Sequence, residues 1–341
     1  MSKFGQQARF LLVLILTLAL SIVVMYVNIT NGTFDISVMD VLRTIFRVQT
    51  VRDYDLVIFD FRLPRIVIGA LVGFALGIAG AVLQGITRNE LADPGILGIH
   101  SAAGMAIVLY MFFIQDMVKG ASWLSIMTMP IFGWLGGMAA ALLLLLFARH
   151  RGVLDPQRLI LVGIALSSGF GAMTLYISLK MDPQDFEMAT VWLAGSIYNA
   201  TWIQILALLP WIIILIPIIW WRSHTLNLLH LDEASVSGLG LNKNRERMIF
   251  LLCCVGLVSA CVSVSGSIGF VGLIAPHIAR KLVGLRYKYI VPVCGAIGML
   301  MVLVGDFIGK TIFSPAELPA GIVISIVGVP YFVYLLFKKK N

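Results

Sequence analysis

Long apolar runs separated by short polar breaks dominate the chain. From the N-terminus they give ten candidate membrane spans: Phe10–Val27, Pro64–Leu83, Ile96–Ile114, Trp123–Phe147, Leu159–Leu179, Trp202–Trp221, Met248–Ser265, Ile268–Val283, Ile290–Gly305 and Ala320–Phe337. A bilayer core about 30 Å thick takes about 20 apolar residues in helical form. The eighth run is interrupted by Pro276, His277, Arg280 and Lys281, and its status sets the parity of the topology. With ten spans and the N-terminus inside, 17 Lys and Arg lie on the cytoplasmic side and 8 outside; without the eighth span the split is 11 to 14. Cytoplasmic loops carry the excess of Lys and Arg. The pattern therefore predicts an all-α polytopic membrane protein of ten transmembrane helices, with both termini cytoplasmic.

Composition agrees and adds exclusions. Of 341 residues 60% are hydrophobic and 12% charged, against about 25% charged in soluble domains. No stretch remains for a separate soluble domain, so residues 1–341 read as one transmembrane unit. The net charge of +8 reads as cytoplasmic loop charge, with no nucleic acid implied. Cys253, Cys254, Cys261 and Cys294 all lie in apolar runs without a C-x-x-C pair, which points to packing. The N-terminal run is longer than a cleavable signal core and no A-x-A site follows it, so it reads as a retained first span.

Two polar segments stand out, an outer one over 28–63 and an inner one over 222–247. In the inner one, Leu226, Leu228, Leu229 and Leu231 precede Asp232-Glu233-Ala234-Ser235-Val-Ser-Gly238-Leu239-Gly240. Asp232 and Glu233 suit the start of a short helix and either glycine its end. Such a helix held between two spans suits docking to a cytoplasmic partner; the alternative is a solvated loop. On the outer side, Arg62 and Arg65 flank Pro64 at the mouth of the second span, placed to pair with carboxylates or with lipid headgroups.

Within the second span Gly69, Gly73 and Gly77 recur every four residues, a stripe for close helix packing. Pro276, Pro292, Pro319 and Pro330 fall in or beside late spans, where broken helices line cavities. No Asp or Glu lies well inside a span; Asp306 and Glu317 sit at outer ends. Ion-coupled carriers place ionisable groups near the midplane, so a transporter lacking them would take its energy from elsewhere. The run Gly305–Thr311 falls short of a phosphate-binding loop because position 304 is valine. The five histidines are scattered with no catalytic grouping, which excludes an obvious enzyme.

Arg62-Leu-Pro-Arg65, Ala79-Gly-Ala-Val-Leu-Gln84 with Arg88-Asn89, and Leu91-Ala-Asp-Pro94-Gly-Ile-Leu-Gly98 form one motif set. Gly266-Ser-Ile-Gly-Phe270-Val-Gly-Leu-Ile-Ala-Pro276-His277-Ile-Ala-Arg280 forms another, and Gly305-Asp306, Glu317-Leu-Pro319-Ala-Gly321 and Gly328-Val-Pro330 a third. Together these resemble, in order and over nearly the whole chain, the FecCD-type iron-siderophore and vitamin B12 importer permeases of ABC transporters. The resemblance implies a type II ABC importer permease fold. It also implies a second permease subunit as homo- or heterodimer, two cytoplasmic ATPase subunits using ATP and Mg, and an extracytoplasmic substrate-binding lipoprotein, with no cofactor on this chain. Arg62, Arg65 and Lys310 then receive glutamates of the binding protein; the family commonly has arginine at the position of Lys310. Asp232, Glu233, Ala234, Ser235, Gly238, Leu239 and Gly240 contact the ATPase. Gln84, Ser178, Lys180 and His277 are candidates for the path or its gate. Glu90 stands where the family often has proline. Ferric siderophore is the expected cargo, ahead of vitamin B12 or haem; a secondary transporter and a membrane sensor are the competing classes.

Overall fold

The computed structural model describes residues 3–31, 36–48, 51–115, 117, 123–150, 153–231, 236, 238–314 and 316–338. The long helices are α1 (Lys3–Thr30), α4 (Leu63–Thr87), α6 (Trp123–Phe147), α7 (Pro156–Ser178), α9 (Trp202–Trp221), α11 (Lys243–Ser265), α13 (Tyr287–Ile312) and α14 (Ala320–Lys338). Shorter ones are α2 (Val38–Ile45), α3 (Arg52–Asp55), α5 (Ile99–Phe113), α8 (Pro183–Leu193), α10 (Ser223–Leu228) and α12 (Val271–Val283), with a hairpin of β1 (Arg149–His150) and β2 (Val153–Leu154). Among the described residues seven helices are long and apolar enough to cross a membrane. The other three expected spans fall on α5, α12 and α14, whose apolar stretches are shorter. On α9, Trp202 marks one end and Trp220 and Trp221 the other, all exposed. Twenty helical residues separate these aromatic ends by about 30 Å, a bilayer's hydrocarbon thickness.

The bundle is layered. α4 and α11 are buried over most of their length and α13 over about two thirds, whereas α1, α7 and α9 present mostly exposed apolar surface. The glycine stripe explains the centre. A Cβ on Gly73 would lie 2.3 Å from the carbonyl oxygen of Gly298 and one on Gly77 2.2 Å from that of Cys294, so α4 and α13 pack backbone to backbone.

Several expected boundaries shift. α4 does not begin at Pro64. A π-helical turn, Leu56–Arg62, joins α3 to α4 in one helix over Arg52–Thr87. Pro64 has no N–H for the carbonyl four residues back, and the wider turn before it absorbs the missing bond. Two short helices, α2 and α8, lie between expected spans, α2 within the 28–63 segment. The eighth span is shorter than Ile268–Val283, because Gly266 and Phe270 both take positive φ and α12 starts only at Val271. Residues 88–98 fold in against the bundle through a 3-10 turn, Pro94–Leu97, whose Pro94 ring meets Gly272 of α12.

Candidate functional sites at the two ends

At the end of the bundle where α1 stops and α4 begins, Arg62, Arg65 and Lys310 converge on one cleft of about 590 Å³. Arg65 leaves the first turn of α4 and donates from Nε to both carboxylate oxygens of Asp306 (2.9 and 3.0 Å) and from Nη2 to one of them (2.8 Å). Its Nη1 lies 2.7 Å from Glu317 Oε2, and its guanidinium is 5.5 Å from the Tyr198 ring. The side chains of Arg65, Asp306 and Glu317 are 14%, 5% and 26% exposed, so the Asp306 arm is interior and the Glu317 arm faces the cleft.

The other two cations serve α1. The last four carbonyls of a helix lack intrahelical donors, and its C-terminal end carries partial negative charge. Arg62 donates to the carbonyl of Ile29. Lys310 donates to those of Asn28 (2.9 Å) and Asn31 (3.2 Å). The expected docking residues are thus brought together, each already holding groups of its own chain. Asp306 and Glu317 as ligands of Arg65 were not foreseen, although both stand in the family-like motifs.

At the opposite end of the bundle, α4 closes on Arg88 in the left-handed conformation (φ 53°). Its guanidinium donates to the carbonyls of Leu229 and Leu231, and Lys243 donates to that of Leu231 at 2.9 Å. Arg222 Nη1 donates to both carboxylate oxygens of Glu246 (2.8 and 2.9 Å). Asn227 Oδ1 accepts from the N–H of Tyr287, the first residue of α13 (3.1 Å). Leu226, Leu229 and Val236 are buried, Leu239 and Gly240 exposed. Gly240 has φ +76°, as a helix-ending glycine does. The segment before the expected coupling helix is therefore clamped to α4, α11 and α13. Asp232, Glu233, Ala234 and Ser235 lie outside the described residues; Gly238, Leu239 and Gly240 lie within them. His230, 3.3 Å from the Tyr287 hydroxyl, has its pKa lowered by burial and by Arg88 and Arg280.

The four path candidates are not one cluster. Gln84 is buried and tied to three places: its Nε2 donates to the carbonyls of Ala92 (3.2 Å) and Gly272 (3.3 Å), and its Oε1 accepts from Arg280 (2.7 Å). That makes it a clamp between α4, the inward turn and α12. Ser178 is buried at the end of α7, and Lys180 Nζ lies 4.6 Å over the Tyr176 ring. His277 meets Tyr331 of α14 edge-on at 5.7 Å. One polar group came as a surprise: Asp93, in the turn after α4, is buried with a single hydrogen bond, from the Gly95 N–H at 2.7 Å. Burial pushes its carboxyl up to about 6. Among the described residues no cluster of His, Cys, Asp and Glu fit to hold a metal ion occurs.

The model of the FecCD transport family matches residues 17–338. The iron-uptake system permease protein FeuC of Bacillus subtilis is 52% identical over 96% of this chain and 97% of its own length. The Fe(3+) dicitrate transport system permease protein FecD of Escherichia coli is 35% identical over 86% and 88%. A solved inward-facing structure of a putative metal-chelate type ABC transporter superposes with a TM-score of 0.81 at 30% identity, covering 95% of this chain and 98% of that one. A second solved chain, from PsaBC of Streptococcus pneumoniae, shares the fold at a TM-score of 0.54 and 15% identity. With a family model and permease relatives both running along almost its whole length, this chain belongs to the FecCD transport family, as a multi-pass cell-membrane permease subunit of an ABC importer that works with an ATPase and a second permease.

Proposed function

We propose that this permease imports ferric siderophore, and that its two sites are the receiving ends of the two soluble partners. The observation that carries the cargo is the 52% identity, end to end, with an iron-uptake permease. Vitamin B12 and haem are the alternatives in the same machinery. Ten spans with both termini cytoplasmic put the Arg65 cleft outside and the Arg88 clamp inside. The cleft receives glutamates of a binding lipoprotein through Arg62, Arg65 and Lys310. The segment from Asp232 to Gly240 takes up the movement of two ATPase subunits, which use ATP and Mg while this chain binds no cofactor. Ser178 and Lys180 contribute to the gate, and His277 lines the path between α12 and α14. Gln84 acts by holding α12 to α4.

The clamp supports this reading mechanically. A short helix transmits force only if its root is fixed, and Arg88, Lys243, Arg222 and Asn227 fix the root by side-chain contacts to three spans. Uptake of radio-iron as hydroxamate, catecholate and citrate chelates, in cells with and without the chain, tests the cargo. One chelate should be lost on deletion, and its uptake should fail on ATP depletion while surviving a protonophore. Loss of labelled vitamin B12 or haem uptake instead would overturn the siderophore assignment.

A further inference from the structure

Arg65 already holds the kind of group a docking partner would bring. Its Nε and Nη2 are taken by Asp306, which is buried on α13, and its Nη1 by Glu317. The two carboxylates differ in their freedom. Asp306 joins two helices packed backbone to backbone, and both partners of that pair are interior. Glu317 stands on the non-helical connection from α13 to α14 and faces the cleft, 26% exposed. That connection is otherwise held by the Leu318 N–H to the Gly309 carbonyl (3.2 Å), and α14 just beyond it by the Gly321 N–H to that of Gly195 (2.9 Å).

We propose that Glu317 is an internal stand-in for the binding protein's carboxylate: it occupies the open edge of Arg65 in the resting permease, and docking exchanges it for a carboxylate of the partner. The inference rests on the docking reading above and adds a competitor to it. Exchange is favoured over simple addition because one guanidinium already serves two carboxylates. A third beside them would meet like-charge repulsion in a partly dried cleft. Replacing one carboxylate by another keeps the charge count, and the displaced Glu317 is on the side from which water reaches it. The exchange also carries information. Glu317 lies three residues before α14, whose Gly328 packs against Phe270 at the start of α12. Releasing Glu317 loosens the outer attachment of α14, so occupation of the cleft is felt where the broken span begins.

The test uses the assembled importer in nanodiscs and, as probe, the binding protein retained on mild-detergent purification, purified separately and added back. Glu317→Gln removes the competing charge and should tighten association by at least roughly two- to fivefold, the span of an exposed ion pair, since this pair is partly buried. Glu317→Ala, which removes the acceptor altogether, should do at least as much. Arg62→Glu with Lys310→Glu should weaken association at least tenfold whether or not Glu317 is present. A spin label at Ala316→Cys should gain mobility on docking in the wild type and be mobile beforehand in Glu317→Gln. Unchanged or weaker association of both Glu317 variants, or a label indifferent to docking, overturns the exchange while docking stands. If the Arg62 and Lys310 variant binds normally, or no binding protein is retained, the docking reading fails and the exchange goes with it.

Discussion

Arg65 shows how burial sets what a charge contributes. Breaking an interior ion pair leaves an uncompensated charge, at a cost of about 3–5 kcal/mol, while an exposed pair is worth about 0–1 kcal/mol. Asp306→Ala should therefore lower thermal stability in detergent more than Glu317→Ala, whose side chain is partly open to the cleft, a contrast a melting series reads directly. Asp93 gives a second residue-scale expectation. Its carboxyl titrates near 6 in the fold against 3.8 unperturbed, so the folded chain favours the protonated form. The stability this lends is fully present below about pH 4 and lost as pH rises through about 6. Asp93→Asn keeps an acceptor for the Gly95 N–H and should stabilise the protein by up to about 3 kcal/mol above pH 6, with the gain vanishing near pH 4. A gain independent of pH would show that the carboxyl is not the cause.

At the scale of elements, the apolar pattern revealed the long helices because a bilayer rewards one property over some twenty residues. α6 and α9 fall on the expected ends, Trp123 to Phe147 and Trp202 to Trp221. What it did not reveal are the elements that answer to tertiary packing. The inward turn at Pro94 has room because Gly272 of α12, itself packed backbone to backbone on Gly80, carries no side chain where the Pro94 ring sits, and nothing local in Ala92-Asp93-Pro94 says so. Arg62, Arg65 and Lys310 were legible as docking candidates through their motifs, but their partners Ile29, Asn28 and Asp306 are set by helix neighbours. α2 also escaped, being too short for a span. It buries Val41 and Thr44, exposes Val38, Leu42 and Ile45 along one side, and carries Asp40 and Arg43 on another. Such three-sided segregation fits a helix lying at the lipid–water boundary. Spin labels at Met39 and Leu42 should be more accessible to oxygen than to a water-soluble nickel chelate, and a label at Arg43 the reverse. Nickel accessibility on both sides would place α2 in water.

At the scale of the whole molecule, the two ends are joined by stiff parts. α4 carries Arg65 in its first turn and closes on Arg88, and it packs on α13 without intervening side chains at Gly73 and Gly77. Arg88→Ala should leave ATP hydrolysis by the assembled importer near its normal rate and reduce iron uptake severalfold, because the coupling segment would move without pulling α4. Equal loss of both activities would mean that Arg88 serves assembly instead. Gly77→Leu should prevent the bundle from forming, seen as loss of the folded monomer in mild detergent.

Among the described residues α1 packs on α13 along its length and is tied by side-chain hydrogen bonds near its two ends. At one, Gln6 and Arg9 donate to the carbonyls of Val283 and Lys281; at the other, Arg62 and Lys310 hold its terminal carbonyls and Asn28 reaches that of Leu303. These fasteners lie up to 282 residues away in the chain. At ribosomal speeds of about 5–20 residues per second, α1 waits roughly 15–55 s in the membrane for its partners to be made. It must therefore be a competent span in isolation, and it is the most hydrophobic span among those described. Assembly of the permease thus begins with an anchor that belongs to the lipid before it belongs to the protein.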